Sequence, residues 1–350
     1  MRTVLVTGGA GFIGANFVSS SVQQKEFGRI IVYDAMTYSA SPVARLFPDR
    51  PSNLHVIEAD VCDYDRLRNV ISSENVDRIV HFAAETHVDR SIVQSELFVR
   101  SNVVGTERLL QAARDCWERG GYRGRRFVNV STDEVYGSLS PDSQPFTETS
   151  AYSPNSIYAA TKAASDHLVR AYHRTYGLPC ITVNTSNNYG PMQYPEKLIP
   201  LAIDRVLRGA EIPLYGNGRN IRDWIYVADH CEAIFAALER GAAGERYNIG
   251  GHCELENIAV VEAICATVDR CFAAGKRYSS MYPDAPPVKG VRSSELVRYV
   301  DDRPAHDFRY ALDSTKAERE LGFTVRTPFG EGLERTVKWY LDNPGWWGAT

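Results

Sequence analysis

Short apolar runs alternate with longer amphipathic stretches through the first half of this 350-residue chain. β-branched and other apolar residues cluster at 4–6, 30–33, 56–57, 78–82, 127–131 and 180–184, and runs of that length read as buried strands. Between them, 12–24, 64–73, 97–118 and 158–176 carry apolar residues at helical spacing. Strand and helix in strict alternation predict an α/β fold, a doubly wound parallel sheet with helices on both faces. Beyond about residue 186 the pattern loosens, and helical stretches at 199–207 and 230–240 are separated by turn-forming segments such as Leu214-Tyr215-Gly216-Asn217-Gly218. The expected organisation is a sheet domain over 1–186, rejoined by a segment at about 219–250, with a smaller interleaved lobe built mostly from 187–350. The stretch 275–295, with Pro283, Pro286, Pro287 and Gly290, is expected to be an exposed loop.

Thr7-Gly8-Gly9-Ala10-Gly11-Phe12-Ile13-Gly14 falls between the first predicted strand and the first predicted helix. Gly8 allows a tight turn, Gly11 lets the backbone approach a pyrophosphate, and Gly14 lets helix and strand pack closely. The phosphates then sit at the helix N-terminus, which Phe12 and Ile13 open. Asp34 ends the second strand, about 20 residues further on, where a carboxylate accepts from the adenosine ribose hydroxyls and repels a 2′-phosphate. The pattern therefore predicts a Rossmann-type domain binding NAD rather than NADP, with Thr37 in the same pocket.

Tyr158 and Lys162 lie four residues apart at the start of a predicted helix, so the phenol and the ammonium share a face. A neighbouring cation favours a phenolate, and Tyr158 could then take a proton from an alcohol as hydride leaves for a nicotinamide. By itself such a pair is more often a packed aromatic beside a solvated lysine; the glycine loop upstream reverses those odds.

With Val130-Ser131-Thr132-Asp133-Glu134-Val135-Tyr136-Gly137 at a strand's carboxyl end, these motifs resemble the nucleotide-sugar branch of the extended short-chain dehydrogenase/reductase superfamily. The Thr-Asp-Glu form resembles its dTDP-glucose 4,6-dehydratase family. The likeness continues through residues 81–91, 186–191, 195–200, 221–224, 247–251 and 302–304, nearly the whole chain.

The resemblance implies a dehydration of dTDP-glucose, with NAD tightly held and regenerated each turnover. Tyr158 would deprotonate the C4 hydroxyl, Thr132 would position that oxygen, Glu134 would remove the C5 proton, and Asp133 would protonate the departing C6 hydroxyl. Adjacent carboxylates can divide base and acid work when their environments push their pKa values apart. Ser131 would complete a Ser-Tyr-Lys set. For the cofactor the family pattern adds Asp60 and Val61 near adenine, Ala83, Ala84 and Thr86 along the pocket, and Asn102 on the following helix. For the nucleotide diphosphate it indicates His87, Asn187, Lys197, Leu198, Arg222, Asn257, Arg303 and His306, with Pro213 and Tyr215 bordering the base. Arg222 could instead pair with Asp223. The stretch 274–300 is longer than the family leads one to expect before Asp302-Arg303-Pro304, which leaves the identity of the base open.

Composition narrows the partners. With 39 Lys plus Arg against 43 Asp plus Glu, a net charge of −4 and no basic run longer than Arg125-Arg126, nothing marks a nucleic-acid or anionic-membrane surface. No segment approaches the ~20 apolar residues of a membrane span; even 258–268 is interrupted by Glu262. Seven scattered cysteines without a C-x-x-C pair fit reduced thiols in the cytoplasm, and no histidine or cysteine spacing implies a metal. The helices at 97–118 and 158–176 each carry a second apolar stripe, so a homodimer through a four-helix interface is expected. The competing readings are a UDP-glucose 4,6-dehydratase, another nucleotide-sugar epimerase or decarboxylase, and a non-catalytic NAD(H)-binding regulator. The carboxylate pair argues against an epimerase or decarboxylase, since neither needs an acid at C6.

Overall fold

The computed structural model describes residues 2–41, 47–49 and 51–346. Its strands are β1 (Thr3–Thr7), β2 (Arg29–Asp34), β3 (Leu54–Glu58), β4 (Arg78–His81), β5 (Arg126–Thr132), β6 (Cys180–Thr185), β7 (Asn187–Tyr189), β8 (Ile212–Tyr215), β9 (Ile221–Tyr226), β10 (Arg246–Ile249), β11 (Glu254–Glu256) and β12 (Val297–Val300). Seven of them form one sheet in the order β10-β6-β5-β4-β1-β2-β3, every pairing parallel. Parallel strands need both faces covered, which is why β1 is buried along its whole length. One face is covered by the helices Phe12–Gln24, Val227–Arg240 and Thr315–Leu321, with Phe17 stacked on Phe235 at 4.4 Å. Leu67, Leu110, Trp117 and Val169, from the helices Tyr64–Ser73, Gly105–Trp117 and Ile157–Tyr176, cover the other.

A separate core joins the helices Leu198–Leu207, Asn257–Ala273 and Phe329–Asp342. Around it lie two small sheets: β9 between β7 and β11, and β8 paired with β12. The chain thus leaves the large sheet after β6 and returns to it for the helix Val227–Arg240 and β10.

Two expected elements differ. Instead of one helix over 97–118, a short helix Ser95–Phe98 runs into a π-helical turn, Val99–Val104, before Gly105–Trp117 begins. Gly105 permits this because it presses on Val61; a Cβ there would lie 2.4 Å from Val61 Cγ1. The widened turn points Asn102 inward. The stretch 275–295 is not a free loop. Helical turns at Arg277–Met281, Pro286–Lys289 and Ser293–Leu296 bury Ala285, Pro286 and Ser293, because Tyr282 donates to the Tyr340 and Leu341 carbonyls and Ser293 donates to Asp269. At the other end of the chain Trp339 packs edge-on against Tyr340 and Trp346; Trp347 lies outside the described residues. Among the described residues no helix is long and apolar enough to cross a membrane.

Two histidines are sealed into this framework. His81 ends β4, bonded through its two ring nitrogens to the hydroxyls of Thr7 (2.7 Å) and Thr106 (2.9 Å), and His230 pairs with Asn188 Oδ1 at 2.9 Å. Burial pushes both rings down to about 3 from an ordinary 6.5. Between those values the unfolded chain binds protons that the folded chain refuses, so each ring lowers stability as pH falls, by up to ~1.4 kcal/mol per pH unit. The stability gap between wild type and His230→Asn should therefore shrink as urea unfolding is repeated from about pH 7.5 down to about pH 5.5. A gap that stays constant over that interval would refute the assignment.

Candidate active site

The glycine loop is shaped by close approach. Gly8 sits at φ +69° against the Ala83 backbone, and a Cβ on Gly14 would fall 2.2 Å from the Gly8 carbonyl oxygen. At Gly11 an added Cβ would meet only that same oxygen, at 3.3 Å, so its outer side is open. The helix Phe12–Gln24 starts at Gly11 without a capping side chain, leaving its first amides for an anion. Asp34 holds this loop in place: its carboxylate accepts from the Ala10 and Met36 amides, both at 2.9 Å. Burial pushes that carboxyl up, and the amides oppose the push.

Around the loop, Asp60 accepts from Arg100 (2.7 Å) and from the Cys62 amide (2.8 Å), Val61 is buried, and Thr37 is exposed one turn beyond Asp34. Ala83, Ala84 and Thr86 follow β4, where the strand order reverses between β1 and β4 and doubly wound sheets open their crevice. The open cradle at Gly11, the uncapped helix start and the carboxylate at the end of β2 fit a dinucleotide. Asn102, on the following helix, is tied to the loop that lines this pocket. Its side-chain amide accepts from the Glu85 amide (2.8 Å) and donates to the Glu85 carbonyl (3.0 Å) and to Thr161 Oγ1 (2.9 Å), so it shapes the 83–86 loop.

The reaction end is built where β5 stops. Thr132 Oγ1 accepts from the Glu134 amide (3.2 Å) and donates to Asp133 Oδ1 (3.1 Å), turning the chain into the helical turn Asp133–Tyr136. Asp133 is buried, with Oδ2 lacking any partner. Burial first, then the Glu134 and Asp223 charges, push its carboxyl well above the usual range. Glu134 is also raised by burial, but Lys197, Arg303 and Arg222 all pull it back down. The two neighbours are thus driven apart.

Tyr158 and Lys162 are both buried on the helix Ile157–Tyr176. Burial, then the Glu134 charge, push Tyr158 far above its ordinary 10, and a hydrogen bond from Thr132 opposes them. Lys162 Nζ donates to the Val130 carbonyl at 2.9 Å, and burial lowers its pKa while Asp166 supports it. Ser131 is corrected too. Its hydroxyl donates to Asp166 at 2.8 Å, so Thr132, not Ser131, is the hydroxyl beside Tyr158.

The opposite wall comes from the smaller sheets and helices. Lys197, just before Leu198 opens its helix, donates to the Thr86 carbonyl at 2.7 Å. Tyr215 on β8 and Arg303 just beyond β12 both bond Asp89, at 3.1 and 3.3 Å, while His306 bonds Asp302 at 2.6 Å and meets the Tyr215 ring edge-on. Pro213 lies on β8 opposite Arg298. Arg222 does not pair with Asp223. It donates to the carbonyls of Ile221, Asp307 and Phe308 and stacks over Tyr310 at 4.3 Å, whereas Asp223 accepts from the Gly251 and Cys253 amides. His87 accepts from the Arg90 amide as a helix cap, Asn187 has a buried Oδ1 without a partner, and the Asn257 amide donates to the Asn220 carbonyl. Sequence reasoning passed over Asp89 and Asp166. Asp166 was signalled by its place four residues past Lys162.

A family model for GDP-mannose 4,6 dehydratase matches residues 5–336. The dTDP-glucose 4,6-dehydratase of Xanthomonas campestris is 46% identical over 99% of this chain and 95% of its own length. That of Neisseria meningitidis is 44% identical over 99% of this chain and 95% of its own. Among solved structures, the dTDP-glucose 4,6-dehydratase DesIV of Streptomyces venezuelae, determined with NAD bound, is 44% identical over 99% of both chains with a TM-score of 0.86. A UDP-glucose 4-epimerase from Thermotoga maritima is similar at 25% identity, covering 98% of this chain and all of its own, with a TM-score of 0.81.

Forcing a methyl group into the contact between Gly14 and Gly8 should cost about 1–3 kcal/mol and distort the cradle. Gly14→Ala is expected to melt lower and to bind NAD more weakly, measured by thermal unfolding and by NAD titration. A variant that keeps both its NAD affinity and its melting temperature would show that the close packing is dispensable.

Proposed function

Because this chain belongs to the dTDP-glucose 4,6-dehydratase family of the extended short-chain dehydrogenase/reductase superfamily, we propose that it is an NAD-dependent hydro-lyase converting dTDP-glucose to dTDP-4-keto-6-deoxyglucose. Bound against the glycine loop and Asp34, NAD would supply the acceptor for the C4 hydride and return it at C6. The chain's own residues move the protons. Thr132 hydrogen-bonds the C4 oxygen and Tyr158 takes its proton, leaving a C4 carbonyl that acidifies C5–H. Glu134 takes the C5 proton, Asp133 gives a proton to the C6 oxygen, and water leaves; Glu134 then returns its proton to C5.

One observation carries this division of labour: the unequal treatment of two adjacent carboxylates. Asp133 is buried, raised by the charges beside it and left with a free oxygen, as suits a proton donor. Glu134 faces three cations, which favour the ionised form of a base. A 4-epimerase would leave Asp133 idle. Arg303 and Lys197 suit a nucleotide diphosphate, with Tyr215 and Pro213 bordering the base. The seven unpaired cysteines fit a reducing compartment, and we assign the protein to the cytoplasm.

A homodimer is part of the same reading. Ile92, Val93, Leu97, Val99 and Val104 are exposed along one side of the large sheet, and Ile157 and Tyr176 at the two ends of the helix Ile157–Tyr176 are exposed as well. A two-fold contact through these helices would cover an apolar surface of that kind. Sedimentation at micromolar concentration should give a dimer and Val93→Asp should weaken it; wild-type protein that sediments only as monomer would refute it.

The enzyme reading is tested by incubating the purified protein with dTDP-glucose and UDP-glucose, without added cofactor, and following loss of water by mass spectrometry. Water should leave dTDP-glucose. Glu134→Gln should slow that loss by about 100-fold or more while bound NAD is still partly reduced. If neither sugar reacts even with NAD supplied, the dehydratase reading fails.

A further inference from the structure

Behind Tyr158 and Lys162 lies a buried carboxylate to which the proposed chemistry assigns no task. Asp166, one turn beyond Lys162 on the same helix, is 5% exposed and accepts four hydrogen bonds from neutral donors. Asn129 Nδ2 reaches Oδ1 at 2.9 Å; Ser131 Oγ (2.8 Å), Tyr152 OH (2.7 Å) and Asn184 Nδ2 (3.3 Å) reach Oδ2. Four neutral donors stabilise a carboxylate as an anion, yet none carries a charge to balance it. Lys162, 4% exposed, has the opposite problem: its ammonium donates to the neutral Val130 carbonyl, and no carboxylate among the described residues forms an ion pair with it.

We propose that Asp166 is the counter-ion that keeps Lys162 charged beneath Tyr158, which makes it a positioning residue for C4 oxidation. The inference rests on the reading of Tyr158 and Lys162 as the oxidation machinery. A lone ammonium at this depth would shed its proton, because burial disfavours the charged form. Burial does lower Lys162, and Asp166 is the group that opposes it; reciprocally, Lys162 is the strongest influence holding Asp166 down.

The other titratable groups facing the pair do not replace it. His81 on β4 is kept neutral by burial. Arg246 on β10 is a second cation, but it lies over the Tyr152 ring and also answers to Tyr136. The phenols of Tyr136 and Tyr152 are both pushed up by burial and supply no cation. Asp166 also raises Tyr158 directly. Its removal would therefore speed oxidation if that direct field outweighed the support it gives Lys162.

The experiment is a double-mutant cycle on the holoenzyme, following reduction of bound NAD by absorbance after mixing with dTDP-glucose. Asp166→Asn, which keeps the shape, should slow C4 oxidation about 100-fold and move the alkaline limb of its pH profile to lower pH. Lys162→Met should be at least as slow, and the double variant no slower than Lys162→Met alone. Tyr152→Phe removes the 2.7 Å bond but no charge, and should leave the alkaline limb in place. A faster or unchanged Asp166→Asn, or losses that multiply in the double variant, would overturn the inference. An unimpaired Lys162→Met would instead overturn the reading of the oxidation site itself.

Should Asp166→Asn not fold, the stability of Lys162→Met supplies the test. With its cation removed, Asp166 titrates higher in the folded chain, so unfolding releases a proton and the variant's deficit against wild type should grow from about pH 5 to about pH 9. A constant deficit would overturn the proposal.

Discussion

Burying carboxylates beside the end of one strand is the constraint around which the rest of this molecule is arranged. Removing a carboxylate from water costs several kcal/mol even after the protein relaxes around it, and Asp133, Glu134, Asp166 and Asp223 all sit near the ends of β5 and its neighbours. Each is accommodated differently. Asp166 receives four neutral donors and is held down by the Lys162 charge, Asp223 receives backbone amides, and Glu134 faces cations. Asp133 receives one hydroxyl and lies near the Glu134 and Asp223 charges, which with burial push its carboxyl well above the usual range. The cations facing Glu134 come from segments outside the large sheet, which makes the charge state of the site a property of both parts of the molecule.

The sheet supplies the place for this. A strand order that reverses between β1 and β4 opens a crevice at the carboxyl ends, and β5, next to β4, delivers its last residues into it. The late return of β10 to the edge brings Arg246 beside Tyr152, so a residue far along the chain helps to close the polar layer behind the lysine. His81, tied to Thr7 and Thr106, fastens β4 to β1 and to the helix that begins at Gly105.

Much of this was legible in the sequence, and the losses have physical reasons. Gly8 and Gly14 announce themselves because close backbone contact excludes other residues, Gly11 because it leaves the cradle open, and Asp34 because it ends a strand. Thr132, Asp133 and Glu134 are contiguous and mark a strand end whatever the tertiary context. Ser131 was misplaced because neighbouring residues in a strand point to opposite faces; it keeps company with Asn129, two residues back, rather than with Thr132. The backbone partners of Arg222 and Asn102 were not legible, because a sequence does not display which carbonyls and amides a planar side chain will meet. The segment 275–295 was taken for a loop because its prolines and glycine hide two anchors, Tyr282 and Ser293, whose partners lie in distant helices.

That anchored segment gives the two walls of the site separate supports. It is tied to Asp269 and to the backbone of the last helix, and its far end pairs in register with β8, setting Arg298 opposite Pro213 and Val300 opposite Tyr215 just before Arg303 and His306. A change in its length would shift the wall proposed to meet the nucleotide base. Thr132, Asp133, Glu134, Tyr158 and Lys162 hang instead from the large sheet and its helix, which the segment does not support. A change of length in this strap would therefore displace the wall proposed to meet the base while leaving the supports of the carboxylates, the phenol and the lysine where they are.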